Sequence, residues 1–294
     1  MRINSRSIGA VILAGACSLL AGAPRAAAQD QDTVVMMPEE SAAKAKQLLQ
    51  QAVDALGGPA YLNVHDVTCT GTFSNFGHSG ELNGFTKFVD YEIPPSKDRF
   101  ENVPKHNIVS VYNGDKGWNL DRGGVSEAAA SDVAHQVEGE STDLDNILRK
   151  RIHEKDMIFR YAGPDTVDRL EVDWVELVDS ENRVIRIALS RSTHLPARKT
   201  VDVRDPESQR KTNEIEYYSN FHPLSGIQTP FQISRDRNGL KVYQVFFDKC
   251  EYNTNLADSF FTKEALDQQW DKVGKKDKKR IEKQKEKDDK DDKD

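Results

Sequence analysis

The chain has 294 residues, 30% of them charged and 37% in the hydrophobic set, and a formal net charge of −7. That length suits one large domain or two small ones, and the apolar share is too high for a wholly disordered chain. The charge is uneven: residues 1–28 carry three arginines and no acid, residues 274–294 hold ten basic and eight acidic residues, and residues 29–273 hold 28 basic and 40 acidic, a net −12. A body this acidic excludes nucleic acid as the main partner and adsorption to anionic headgroups, since both need a basic face. Apolar ligands, which are read by cavities, stay open.

Arg2 and Arg6 precede a run of apolar and small residues from Ile8 to Ala23, and Ala26-Ala27-Ala28 offers a cleavage site before Gln29. This is the pattern of a secretory signal peptide over 1–28, and it implies an exported, periplasmic mature chain. The rival reading is a lipid anchor at Cys17, in Ala14-Gly15-Ala16-Cys17, where Ala14 stands in the place usually held by Leu. No later stretch reaches ~18 consecutive apolar residues, so no transmembrane span is expected in the mature chain. The cysteines that remain are Cys69 and Cys250, near the two ends of the folded region. An oxidising compartment allows a disulfide between them; two buried free thiols are the alternative.

Residues 29–40 read as a polar linker and 41–273 as one domain. A helix is expected from Ser41 to Leu56, with Ala45, Leu48, Leu49, Ala52, Val53 and Leu56 on one face and Gly57-Gly58-Pro59 stopping it. Period-2 text follows. Strands are expected over 67–73, over 80–93 (with Phe85, Val89, Tyr91 and Ile93 in one parity, ended by Pro94-Pro95), over 98–101, and over 107–112 and 116–121 about the Asn113-Gly114 hairpin signal. Residues 126–140 read as a loop. Ser141-Thr142-Asp143 supplies an N-cap for a second helix over 144–152. Seven more strand patterns run over 157–161, 172–178, 183–189, 197–203, 214–218, 229–234 and 241–252. The final 21 residues are 18 charged, with no apolar periodicity, and read as a disordered tail. The fold class is mainly β (α+β): a strongly curved antiparallel half-barrel of about ten to eleven strands with helices as its lid.

Catalytic patterns are weak. Gly77-His78-Ser79-Gly80-Glu81 misses G-x-S-x-G at its last position and lies between two strands rather than on a strand-to-helix elbow. The seven histidines lack H-x-H or H-x-x-x-H spacing and there is no C-x-x-C, so neither metal nor cofactor is implied. Asp173/Glu176 and Glu214/Glu216 sit in strand patterns, the latter pair most simply on a solvated face. The sequence therefore points away from an enzyme, with a hydrolase as the weakest alternative. A surplus of large apolar residues on alternating positions points instead to a ligand cavity on the inner face, lined by Phe85, Tyr91, Trp118, Phe159, Tyr161, Ile185, Ile187, Leu189, Phe231, Ile233, Val245 and Phe247.

The order of elements also resembles a known family. Pro94-Pro95 and Arg99-Phe100 follow the second strand, and Asn113-Gly-Asp-Lys-Gly-Trp118 forms the hairpin. The second half carries Ser192-Thr-His-Leu-Pro-Ala-Arg198, Tyr217-Tyr-Ser-Asn-Phe221, Gly226-Ile-Gln-Thr-Pro230 and Tyr252-Asn-Thr-Asn-Leu-Ala-Asp-Ser-Phe-Phe261. Over residues 41–265 this is similar to the LolA/LolB-type lipoprotein carrier superfamily, above all its outer membrane lipoprotein-sorting members. Ile93 departs from it, standing where the carrier proper has a basic residue. The resemblance implies a lid-covered apolar cavity that holds lipid or lipoprotein acyl chains in transit. The same fold used as an envelope sensor, docking a protein partner through the charged tail, is the alternative function.

Overall fold

A computed structural model describes residues 36–204 and 210–272. The expected signal peptide, Cys17 and the charged tail lie outside the described residues.

The first helix, α1 (Pro38–Leu56), starts three residues ahead of the expected Ser41. Pro38 occupies the first turn, where its missing N–H costs nothing, and Glu39 and Glu40 sit at the positive end of the helix dipole. Gly57 ends it at φ 134°, and a Cβ there would lie 2.4 Å from the Gly226 carbonyl oxygen, so only glycine lets this end press against the chain at Gly226. A single turn, α2 (Pro59–Leu62), leads into the sheet.

Thirteen strands follow: β1 (Val67–Phe76), β2 (Leu82–Ile93), β3 (Lys97–Val103), β4 (Val109–Asn113), β5 (Lys116–Asp121), β6 (Gly124–Glu127), β7 (Ile158–Val167), β8 (Leu170–Val178), β9 (Val184–Ser190), β10 (Pro196–Arg204), β11 (Lys211–Leu224), β12 (Ile227–Arg237) and β13 (Leu240–Tyr252). They form one antiparallel sheet, ordered β6-β5-β4-β3-β2-β1-β13-β12-β11-β10-β9-β8-β7, that does not close into a barrel. The count exceeds the expected ten to eleven. The expected loop over 126–140 is instead the end of β6 followed by α3 (Ala130–Thr142). α4 (Leu144–Arg149) begins on the predicted cap, with the Asp143 carboxylate accepting from the Asn146 N–H at 2.9 Å, and a 3₁₀ turn at Arg151–His153 completes the segment. Residues 263–272 form a last helix, α5.

The two meanders meet where the first strand pairs with the last. Cys69 is the register partner of Cys250 across β1 and β13, and the two are disulfide-bonded.

Apolar burial covers both faces of the sheet. Ala45, Leu48, Leu49, Ala52, Val53 and Leu56 of α1 pack on Phe159, Val175, Leu177, Ile185, Ile187 and Leu189, all buried. Each of the larger side chains contributes roughly 1.5–3 kcal/mol. A second cluster joins Val109, Val111 and Leu120 to Phe261 and Leu266 of the C-terminal segment, with Tyr91, Trp118, Phe260 and Trp270 around them. Arg99 clasps that segment. The residue is 1% exposed, and its guanidinium bonds Glu101 at 2.6 Å, the Phe260 carbonyl at 2.8 Å and the Gln269 side chain and lies over the Phe260 ring. A buried charge held by that many partners is retained rather than expelled.

Candidate ligand-binding site

A cavity of about 600 Å³ lies between the inner face of the sheet and helices α3 and α4. Its floor is built from the even-numbered face of β2 and its neighbours. Phe88 stacks on Phe100 at 5.0 Å between ring centroids; Phe73 meets Phe100 at 5.9 Å and Tyr243 at 5.5 Å; Phe247 meets Phe88 edge-on at 6.0 Å. Five rings in mutual contact form an apolar, polarisable surface.

The same strand faces carry acid one step further along. In register, Asp90 lies opposite Phe100 and Glu92 opposite Asp98. The carboxyl oxygens of Asp90, Glu92 and Asp98 lie within 4.8 Å of one another. Like charges directly across two strands repel, and no lysine or arginine bonds these three among the described residues. Enclosure by protein, reinforced by the neighbouring carboxylates, drives Asp90 well above the usual range and Glu92 to about 8. Enclosure also pushes Asp98 to about 7, against a hydrogen bond from Gln136. Arg149 opposes the shift at Glu92, but it is engaged by Asp145 at 3.0 Å and by the face of Tyr61.

Helix α3 forms the roof. Asp132, His135, Gln136, Gly139 and Glu140 line the cavity. Their spacing of three and four residues is one helical face, and it is the polar one; Val137 is turned outward and 40% exposed. Glu140 is pushed to about 7 by enclosure. The C-terminal end of the roof is pinned. Lys199 donates to the Thr142 carbonyl at 2.6 Å, Arg151 donates to the Ser141 carbonyl, and Asn146 bridges the carbonyls of Glu140 and Pro95.

The far wall corrects an expectation. Glu214 and Glu216 do not face solvent: they are 7% and 6% exposed. Glu216 pairs with Lys199 at 2.6 Å and with Arg235, and takes hydrogen bonds from Tyr218 and Tyr243. Burial alone would raise its pKa; Lys199 and Arg235 outweigh that and hold the carboxyl far below the usual range. Glu214 pairs with Arg237 at 2.6 Å. Acids and bases alternating across β10, β11 and β12 let these charges stay buried.

Of the twelve residues expected to line a cavity, Ile233, Val245 and Phe247 do so. Phe159, Ile185, Ile187 and Leu189 are buried beneath α1, which fills the space expected to be empty, and Tyr161 packs at the margin of that core with its hydroxyl on Asp173 at 2.6 Å. Tyr91 and Trp118 lie in the second apolar cluster, under the C-terminal segment on the opposite face. Phe231 packs edge-on against His222, and Phe85 is 74% exposed near the tip of the β1–β2 hairpin. Parity misleads on β2 because Val89, Tyr91 and Ile93 mark a covered face that is not the cavity face, and Phe85 of the same parity lies beyond the cover. The floor rings Phe73, Phe88, Phe100 and Tyr243 and the acids Asp90, Glu92 and Asp98 were missed. The signal was there: Phe88, Asp90 and Glu92 share one parity, as do Asp98 and Phe100. Ser79, in the near-miss motif, sits in the hairpin turn with its hydroxyl on Glu81. Chemically, the arrangement offers burial on rings beside a cluster of anionic and proton-holding oxygens.

The sequence matches no protein-family model and no curated protein. Solved structures show the fold. A DUF1329-family protein from Desulfovibrio piger is 15% identical, with a TM-score of 0.55 over 76% of this chain and 98% of that one. A LolA-superfamily protein from Nitrosomonas europaea is 12% identical, with a TM-score of 0.50 over 76% and 99%. A domain described as an outer membrane lipoprotein-sorting protein from Vibrio parahaemolyticus is 9% identical, with the same TM-score and coverage. The chain has the LolA/LolB-like fold.

Proposed function

We propose that this chain is an exported, non-enzymatic binding or carrier protein that shelters the apolar chain of a lipid or lipoprotein. One observation carries the reading: a cavity of about 600 Å³ with a floor of five touching rings, on the inner face of the sheet and roofed by helix. That volume is in the range of small-molecule sites, and an acyl chain laid on such a floor gains about 0.8 kcal/mol per buried methylene. Periplasmic residence is supported by the leader over 1–28 and by the pairing of Cys69 with Cys250, which suits an oxidising compartment. No helix among the described residues is long and apolar enough to cross a membrane.

The test is gentle native mass spectrometry of the full chain purified from the cell envelope, with Phe100→Asp beside it. A stoichiometric lipid on the wild type, lost from a folded Phe100→Asp protein, is the expected result. Wild-type protein that carries no lipid and takes up none from vesicles refutes the carrier reading.

A further inference from the structure

The ring floor is long in one direction and narrow in the other. Phe88 of β2 and Phe100 of β3 touch each other, and Phe73 of β1 with Tyr243 and Phe247 of β13 completes the contact. Those four strands are consecutive in the sheet, and Ile233 of the next strand, β12, prolongs one end. Three to four strand spacings make roughly 14–19 Å, close to one leaflet of a bilayer's hydrocarbon core, about 15 Å. Along the strands the floor stops at once. Thr86 and Asp90 flank Phe88 in the same parity, and Asp98 and Asn102 flank Phe100. Asp90 and Asp98 are hydrogen-bonded within that margin, to Glu92 and Gln136, so they form its border and need no ligand. On β2 and β3 the apolar path is therefore one ring wide.

The two larger apolar clusters are already filled. Helix α1 covers Leu177, Ile185 and Ile187, each 0% exposed, and the C-terminal segment covers Val109, Val111 and Leu120. The roof faces the floor with Asp132, Gln136 and Glu140, four residues apart on one helical face. Hydrocarbon pressed on that face strips water from polar groups without replacing its hydrogen bonds.

Resting on the carrier reading, we propose that the site takes a single acyl chain laid across the strands. Its ligand is then a one-chain amphiphile, and not the two- or three-chain anchor of a diacyl lipid or a lipoprotein. One chain matches the floor in length and in width. A second chain beside it would lie on Asp90, Asp98 and Asn102, and a second chain above it on Gln136 and Glu140. Either placement sets methylenes against groups that prefer water, so the added hydrocarbon gains little.

Titration calorimetry of the full mature chain tests this with two soluble probes, each below its micelle concentration. Dodecylphosphocholine has one chain; diheptanoylphosphatidylcholine carries the same head and divides a similar amount of hydrocarbon between two. Wild type should bind one dodecylphosphocholine per protein, about tenfold or more tightly than the two-chain probe, since only one heptanoyl chain fits the floor. Gln136→Leu/Glu140→Leu makes the roof apolar and should narrow that preference by strengthening two-chain binding, with folding checked by circular dichroism. If the double variant does not fold, Gln136→Leu alone should narrow the preference in part. Equal or tighter binding of the two-chain probe by wild type, or two dodecylphosphocholine molecules per protein, overturns this inference and leaves the carrier reading standing. A folded variant that keeps the wild-type preference overturns the role of the polar roof and the inference with it. Binding of neither probe overturns the carrier reading itself.

Discussion

Asp98→Asn should stabilise the protein at alkaline pH and leave it unchanged in acid. Asp98 faces Glu92 across the β2–β3 ladder, with Asp90 beside them, so its negative charge is opposed wherever it forms. Its pKa rises from 3.8 to about 7 in the fold. Between those values the folded chain holds a proton that the unfolded chain has released, so stability falls as pH rises through the window. At 1.36 kcal/mol per pKa unit the full penalty would be about 4 kcal/mol. The carboxyl looks into a cavity that admits solvent, and screening there leaves about 1 kcal/mol. For a domain of this size that corresponds to about 2–4 °C in melting temperature. Thermal melts followed by circular dichroism at about pH 4, 6 and 8 and constant salt measure it. The variant should melt higher at the top of that range and match the wild type at the bottom. Glu92 and Glu140 still titrate, so the pH slope is reduced rather than abolished. A gain of equal size at every pH, or no gain in alkali, would refute the reasoning about charge crowding.

Three further outcomes follow from the other buried charges and the cross-link. Glu216→Gln leaves Lys199, 2% exposed, without its counter-charge and should cost about 3–5 kcal/mol in urea denaturation. Because the Glu216 pKa is depressed in the fold, its contribution is present above the ordinary carboxylate range and lost as pH falls below it, so the variant should also shed part of the acid sensitivity of the wild type. Arg99→Ala removes the clasp on Phe260 and Gln269 and should expose the bonds after Lys263 and Lys272 to trypsin before the sheet unfolds; equal digestion rates would show that the clasp does not hold this segment. Cys69→Ser should lower stability by about 2–4 kcal/mol, and reductant should then change nothing further, as read by denaturation with and without dithiothreitol.

The sheet was legible because its punctuation is local. Asn113-Gly114 and Pro94-Pro95 mark turns between antiparallel neighbours, and α1 declares itself by six apolar residues at helical spacing. What failed was the choice of face. Alternation shows that one parity of β2 is buried, but Tyr91 is buried by Phe260 and not by a ligand, and nothing near β2 in sequence announces a C-terminal segment folded back over it. The second failure has the same root. Glu214 and Glu216 look solvated alone, and are buried only because Lys199, Arg235 and Arg237 are supplied by neighbouring strands. Residues 126–140 read as loop because the helix that begins at Ala130 turns its polar side inward, which removes the apolar stripe by which helices are recognised.

The pairing of β1 with β13 sets the order in which this molecule can become competent. The cavity floor draws Phe88 and Phe100 from the first meander and Val245 and Phe247 from the last strand, so it straddles the seam between chain beginnings and chain endings. A protein emerging N-terminus first presents half a floor until Tyr252 has cleared the exit and met Val67. The ring floor is therefore assembled only when the last strand has paired with the first, and an incomplete sheet offers only half of it.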